Sequence, residues 1–366
     1  MPALGLALFL LHSGMHALPK TFRVIHSAAP TRICDLGGWT DTWFARYGTV
    51  LNIAVTPVVE VVLRVFNEDE NSAPITIEAR NYSQRYSIDR PNGSYGKHPL
   101  IEAVFDYAPL PEGMAVEVLI SSEAPAGCST GTSASLVIAL IGALDSLTPG
   151  RLSRYELVAA AHRVETELLG LQCGIQDQIA AVFGGISFIE MDEYPHARVD
   201  RVDLPPGVEE ELESRLSLIY VGRGHSSSEI HGLVIRELEN AGPEAPRLQR
   251  LRAIAAKSRD ALYAGDFVAF GRTMKANTEA RRKLHPGLRG SAHQQIIDIA
   301  KEYGALGWKV NGAGGEGGSI TLLSGPRRDA QTAMVEMIEL TNPSNRKIPI
   351  SLSRRGATVS EHPPVA

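Results

Sequence analysis

The chain has 366 residues, 44% of them apolar and 21% charged, which is enough to bury the cores of two soluble domains. Acidic residues outnumber basic ones, 41 to 36, and no basic run stands out, which argues against nucleic acid or an anionic membrane as the main partner. The three cysteines, Cys34, Cys128 and Cys173, lack metal-ligand spacing and point to a reducing, cytoplasmic setting rather than to disulfides or a zinc site.

The apolar run Ala3 to Leu11 has no Lys or Arg before it and is too short to span a bilayer, so residues 1–20 read as an extension outside the fold. Thr21 to Ile25 alternates like a first strand and leads into a polar turn from Ala29 to Asp41 built on Gly37-Gly38. From residue types alone this turn is either a hairpin with solvated charges or a site. Thr49 to Arg64 holds two β-branched runs separated by Pro57, and Ile75 to Ile88 reads as further strands. Pro99 to Tyr107 reads as a short helix and Met114 to Ile120 as a strand.

Next comes Pro125-Ala-Gly-Cys-Ser-Thr-Gly-Thr-Ser-Ala-Ser135, followed by an Ala/Leu-rich stretch, Ala134 to Leu144, long enough for a buried helix. Small residues between strand and helix let backbone approach a ligand, and a helix start offers N–H groups to a phosphate. The hydroxyls of Ser129, Thr130, Thr132 and Ser133 can bond phosphate or complete a magnesium shell. No Lys-Ser or Lys-Thr pair follows the glycines, so this is no P-loop, and an ordinary capped helix is the simple alternative.

Tyr155 to Gly170 has helical spacing, and Glu165 and Glu167, two apart, must diverge. Cys173 to Gly185 is a glycine turn into a short helix, with Asp177 in its first turn. The Pro-rich, charged stretch from Asp192 to Glu210 marks a domain junction. Beyond it the order is a strand at Leu216 to Val221, helices from Ser228, Pro246, Asp266 and Ser291, strands at Gly307 to Asn311 and Ser319 to Leu323, a helix at Ala330 to Leu340 and a last strand at Lys347 to Ser353. Taken with the helices as one layer, this is a split βαβ, ferredoxin-like arrangement. Between two of its strands, Gly312 to Gly318 contains a literal Gly-x-Gly-x-x-Gly. It opens into a strand and not a helix, which rejects a dinucleotide site.

Three of these stretches together resemble the GHMP kinases, the class of galactokinase, homoserine kinase, mevalonate kinase and phosphomevalonate kinase. Pro125, Gly131, Thr132, Ser133 and Ala134 fit the family's Pro-x-x-x-Gly-Leu-Gly/Ser-Ser-Ser-Ala, with Ser129-Thr130 in place of Gly-Leu. Arg32, Gly37, Thr40 and Asp41 match the Arg-Val-Asn-Leu-Ile-Gly-Glu-His-Thr-Asp of galactokinases, in a Gly-Gly-Trp-Thr-Asp form closer to heptose-7-phosphate kinases and fucokinase-like members. Lys309, Gly312, Ala313, Gly314, Gly315, Gly317 and Gly318 fit Lys-x-x-Gly-Ala-Gly-Gly-Gly-Gly, interrupted by Glu316. Asp177 matches the acid of Gly-x-x-Asp, and Glu165 the acid of Glu-x-x-x-x-Gly. Tyr220 to Ser227 is similar to a Tyr-Thr-Gly-x-x-Arg-x-Ser stretch of heptose-7-phosphate kinases, with His225 at the arginine position.

The resemblance implies an α+β, two-domain fold, with a ribosomal protein S5 domain 2-like N-terminal, ATP-binding domain over 21–205, a ferredoxin-like C-terminal domain over 206–356 and a tail at 357–366. It implies an ATP- and Mg²⁺-dependent kinase acting on a hydroxyl of a sugar or sugar phosphate, at the anomeric C1, as a monomer or homodimer. Asp177 and Arg32 would be catalytic. Pro125, Gly127, Ser129 to Ala134, Gly312, Gly314 and Gly315 would hold the nucleotide, with Mg²⁺ on Ser133 and Glu165. Gly38, Trp39, Thr40, Asp41, Gln176 and Gly222 would meet the acceptor. Two alternatives stay open: a kinase for another small alcohol, and a non-catalytic regulator that binds a nucleotide or sugar phosphate.

Overall fold

The computed structural model describes residues 21–69, 72–148, 151–222, 228–312 and 314–363. The expected extension at 1–20, the stretch His225 to Ser227, and Ala313 lie outside them. Among the described residues no helix is long and apolar enough to cross a membrane.

The first half is a sheet covered by helices. β1 (Arg23–Leu36) pairs antiparallel with β2 (Gly48–Asn67) along almost its whole length. The turn expected from Ala29 therefore begins only at Gly37, and Arg32 and Asp35 sit on a strand. Pro30 is tolerated inside β1 because the pairing slips there, from Pro30↔Val58 to Thr31↔Val55. The Thr31 hydroxyl lies within reach of the carbonyls of Val55 and Pro57, supplying a donor where the ladder is broken. For the same reason Pro57 does not split β2 in two, as its position in the sequence suggests.

β3 (Ile75–Ala79), β4 (Gln84–Ile88), α1 (Pro99–Tyr107) and β5 (Met114–Ser122) follow, giving the strand order β1-β2-β5-β3-β4, in which β3 and β5 run parallel. α2 (Thr132–Asp145) is apolar on nearly every side, and Val137, Ile138, Leu140 and Ile141 bury completely between the sheet and α3 (Arg154–Arg163). Ser153 and Glu156 start α3 with a reciprocal capping box. The helix expected to continue to Gly170 instead widens into a π turn over Val164–Leu168. Glu165 is buried there and Glu167 is exposed beside Arg163, so the two diverge as their spacing requires. α4 (Gln176–Phe183) leads to the hairpin β6 (Ile186–Glu193) and β7 (His196–Arg201), which joins the sheet through β2. The stretch from Asp192 to Glu210 expected as a junction is thus strand, broken by a turn at 194–195, as far as Arg201 and helix from Pro206, with residues 202–205 irregular between them.

The second half begins with α5 (Pro206–Arg215) and β8 (Leu216–Tyr220), then α6 (Ser228–Ala241), α7 (Pro246–Tyr263), α8 (Phe267–Arg282) and α9 (Ser291–Glu302). β9 (Gly307–Val310), β10 (Ser319–Leu323), α10 (Arg328–Thr341) and β11 (Arg346–Ile348) complete an antiparallel sheet of order β11-β8-β10-β9. Numbered within that half the order is 4-1-3-2, the split βαβ arrangement with extra helices in its first crossover. The last strand is shorter than expected, with Leu352 bridging to Val55 of the first sheet. Residues beyond 356, expected as a tail, return as β12 (Thr358–His362), which pairs with Val24 to Ala28 of β1.

The two halves share a core. Ile33, Leu36, Leu51 and Ile53 of β1 and β2 pack in one buried cluster with Leu218, Phe270, Met274 and Leu323 of the second half. Polar contacts run along the same seam: Asn277 accepts from the Gly37 N–H at 2.9 Å, and Arg252 donates to the carbonyls of Ala45 and Tyr47.

Candidate active site

The loop between β5 and α2 is shaped by positive φ at Gly127, Ser129 and Gly131. Gly131 stands at the N-cap, so no side chain caps α2 and its first-turn N–H groups have no side-chain acceptor. That removes the ordinary capped helix and leaves a positive helix end facing a cleft. Three bonds fix the loop from behind: Arg32 N–H to the Thr130 carbonyl at 2.8 Å, Ser135 Oγ to the Pro30 carbonyl at 2.7 Å, and Ser319 Oγ to the Cys128 carbonyl at 2.7 Å.

The second glycine loop, between β9 and β10, lies against the first. A Cβ at Gly312 would stand 2.7 Å from the Ser129 carbonyl oxygen, and one at Gly318 would stand 2.5 Å from Ser129 Oγ. Both glycines have positive φ, so close approach and backbone conformation demand the same residue. Asn311 ties this loop to β1 and β10 by accepting from the Cys34 N–H and donating to Ser319 and Thr321.

Arg32 and Asp177 meet at the junction of the loops. The guanidinium grips both carboxylate oxygens, at 2.8 and 2.9 Å, and its third nitrogen donates to the Ser129 carbonyl at 2.6 Å. Arg32 is buried, which works against its charge, but Asp177, Asp35 and Asp41 outweigh burial and hold it above the ordinary arginine value. Asp177 Oδ2 would lie 3.2 Å from a Cβ at Gly131, so the carboxylate rests on the phosphate-loop side, 29% exposed to the cleft. Asp41 is buried nearby, its Oδ2 accepting from the Gln176 N–H at 3.1 Å. Burial first, and then the charge of Asp177, pushes Asp41 up to about 6. Gly174 makes room for it, since a Cβ there would fall 2.1 Å from Asp41 Oδ2.

Beneath the site lies a buried ion cluster that the sequence did not single out. Asp35 Oδ1 accepts from Lys309 Nζ at 2.8 Å and from the Gly312 N–H at 3.2 Å, while Arg281 lies 3.4 Å from Oδ2. Arg281 also donates to the carbonyls of Val310 and Gly312. Burial works against the Asp35 carboxylate, but Lys309, Arg32 and Arg281 together keep it below the usual range. Burial pulls Lys309 well below the ordinary lysine value even with Asp35 beside it.

Glu165 is buried in the cleft wall, where its Oε2 accepts from Gln178 Nε2 and lies 3.5 Å from Cys173 Sγ. Burial, then Asp177, pushes it up to about 7. Among the described residues it has no ion-pair partner, and no three His, Cys, Asp or Glu side chains converge as a self-contained metal site. A buried carboxylate without an ion-pair partner, lining the same cleft as the exposed Ser133, fits a cation that takes its other ligands from water and phosphate.

The cleft encloses about 660 Å³. Its wall includes Arg32, Trp39, Asp41, Gly127, Ser129 to Ala134, Glu165, Gln176, Asp177 and Gly312, which brings most of the expected residues to one place. Six stand elsewhere. Pro125 makes the turn behind the loop, its carbonyl accepting from the Cys128 N–H. Gly314 packs under Leu288, and the Gly315 carbonyl accepts from the Gly290 N–H. Thr40 is buried, its hydroxyl bonded among the backbones of Gly37 and Thr49, and Gly38 packs against Asp35 and Gln176 from behind. Gly222 packs on Ser344, away from the cleft. Thr42, Trp43, Phe44, Cys173, Gln178 and Ile235 line the wall without having been expected, and the Trp-Phe pair after Asp41 was the available signal.

Comparison with known proteins gives consistent findings. Residues 98–185 match the family model for the GHMP kinases N terminal domain, and residues 258–339 that for the GHMP kinases C terminal. The D-glycero-alpha-D-manno-heptose 7-phosphate kinase of Campylobacter jejuni is 25% identical over 306 residues, covering 81% of this chain and 88% of that protein. The L-fucokinase/L-fucose-1-P guanylyltransferase of Bacteroides fragilis is 27% identical over 92% of this chain, which spans only 38% of that longer protein. A mevalonate kinase of Pyrococcus abyssi is 29% identical, covering 66% of this chain and 68% of its own. Among solved structures, a D-glycero-D-manno-heptose 1-phosphate kinase from Bacteriodes thetaiotaomicron superposes with a TM-score of 0.69 at 24% identity, covering 92% of this chain and 98% of that one. The galactokinase of Lactococcus lactis with galactose superposes with a TM-score of 0.69 at 17% identity, covering 92% and 95%. At these identities the structural likenesses speak to the fold.

Proposed function

Because this chain carries the N-terminal and the C-terminal domain of the GHMP kinases, we propose that its cleft transfers the terminal phosphate of ATP to the anomeric hydroxyl of a sugar or sugar phosphate. One observation carries the reading: the Arg32–Asp177 pair sits where the two glycine loops meet, with Asp177 against Gly131 and Arg32 bonded to Ser129. The triphosphate would lie along Ser129 to Ala134 and Gly312, its charge met by the open N–H groups of α2. Mg²⁺ bound at Ser133 and Glu165 would supply the positive charge that the triphosphate lacks on this chain.

Asp177 holds the acceptor hydroxyl. Both its oxygens bond Arg32, and each keeps a lone pair for a sugar O–H. In a loose phosphoryl transfer the proton leaves the hydroxyl late, so a carboxylate that orients it and takes that proton late suffices. Arg32 fixes the carboxylate and offsets charge near the transferring group. The sugar assignment rests on the Gly-Gly-Trp-Thr-Asp turn and on the sugar kinases among the relatives. Buried free thiols at Cys34 and Cys128 support a cytoplasmic setting.

The test is ADP release from Mg-ATP with a sugar panel, followed by Asp177→Asn. With an active sugar, turnover is expected to fall about 100-fold or more, the scale of losing a positioned base, while ATP affinity stays within about threefold. Wild-type turnover in Asp177→Asn would remove the mechanism. The phosphorus spectrum of the product then identifies the hydroxyl that was modified.

A further inference from the structure

On the kinase reading above, we propose that Asp35 and Arg281 are positioning residues for the nucleotide: they hold the Gly312 peptide from two sides and so set the second glycine loop against the first. Asp35 Oδ1 accepts from the Gly312 N–H at 3.2 Å, and Arg281 donates to the Gly312 carbonyl. Both backbone groups of this glycine are thus bonded by charged side chains that are each only 2% exposed, and bonds to buried charges are the strong ones. The peptide held in this way is the one that meets Ser129. A Cβ at 312 would stand 2.7 Å from the Ser129 carbonyl oxygen, which Arg32 bonds at 2.6 Å. A shift of Gly312 is therefore felt at once in the loop before α2.

The strand that carries Asp35 is shaped for this task. Between Ile33 and Leu36 the pairing of β1 slips, from Ile33↔Ile53 to Leu36↔Leu51, and Cys34 within the slip has φ +55. A residue with a side chain keeps such a backbone only where its surroundings hold it there. The bulge aims neighbouring groups at the same loop, the Cys34 N–H at Asn311 Oδ1 and the Asp35 carboxylate at Gly312. Arg281, on α8, separates positioning from general packing. It pairs with Asp35 and donates to the Val310 and Gly312 carbonyls. Lys309 Nζ also bonds Asp35 and the Val310 carbonyl, so a loss at Arg281 falls on Gly312. Arg281→Lys keeps the charge but loses the planar fork that reaches two carbonyls. Thr278 supplies the control: it too is buried on α8 and donates to β9, at the Trp308 carbonyl, 3.1 Å away.

The experiment titrates Mg-ATP into the full chain by calorimetry and records Tm for the wild type, Arg281→Lys, Asp35→Asn and Thr278→Val. Arg281→Lys is expected to raise the Kd for ATP about 10-fold, while KM for a sugar that the wild type turns over stays within about twofold. Asp35→Asn weakens the hold on the N–H side, so it moves Kd the same way and stands in if Arg281→Lys does not fold. Thr278→Val is expected to lower Tm and leave Kd within about twofold. ATP binding that Arg281→Lys and Asp35→Asn leave unchanged, or that Thr278→Val weakens as much as they do, would overturn the inference and leave the kinase reading intact. No ATP binding by the wild type would overturn both.

Discussion

At the residue scale, Asp41 shows how the site sets its chemistry against its stability. Its folded pKa, near 6, stands above the ordinary aspartate value of 3.8. Between those values the folded chain keeps a proton that the unfolded chain has released, so stability falls as pH rises from about 4 to about 6, and the deficit is complete above that. Asp41→Asn carries no such charge. Relative to the wild type it should therefore gain about 2 kcal/mol on going from pH 4 to pH 8, while losing acceptor affinity. Urea unfolding at the two pH values measures this, and an equal difference at both would contradict it. The residues that do the work were only partly legible. Arg32, Asp41, Glu165 and Asp177 stood out because short motifs surround them. Asp35 did not, because its partners Lys309 and Arg281 lie 274 and 246 positions away and only the fold brings them together.

At the scale of elements, the buried cluster is what joins β1 to β9 and α8. Lys309→Met should cost about 3–5 kcal/mol, because it takes the closest cation from the buried Asp35 carboxylate and leaves it Arg281 at 3.4 Å as its ion-pair partner. Adding Asp35→Leu should cost less than the sum of the two single losses, since the closest ion pair is removed as a unit even though Arg281 then loses its carboxylate. Thermal unfolding of the single and double variants decides the point, and a double variant less stable than the sum of the singles would argue against the pairing. Helices and strands with strong periodicity were legible almost to the residue, α1 among them. The departures have local causes. β1 runs through Pro30 because a slip in register removes the need for its N–H, and α3 ends early because a π turn turns Glu165 inward. Neither a slip nor a π turn leaves a mark in composition.

At the scale of the molecule, each half keeps a core of its own and a further buried cluster joins the two sheets. The cluster around Ile33, Leu51, Leu218 and Phe270 draws on both halves, and β12 returns from the far end of the chain to the edge of β1. Neither half can unfold without exposing that surface, so calorimetry should show a single cooperative transition with calorimetric and van't Hoff enthalpies that agree. Two resolved transitions would count against a shared core. The C-terminal return was invisible in the sequence because a short, exposed, polar edge strand reads like a tail.

The contact of both glycine loops at Ser129 carries a further meaning for how such a protein can change over time. A bulkier residue at 312 or 318 would strike the backbone or hydroxyl of 129, so neither loop is free to drift by itself. Any descendant that alters one is obliged to alter the other, which makes these distant stretches a single heritable unit.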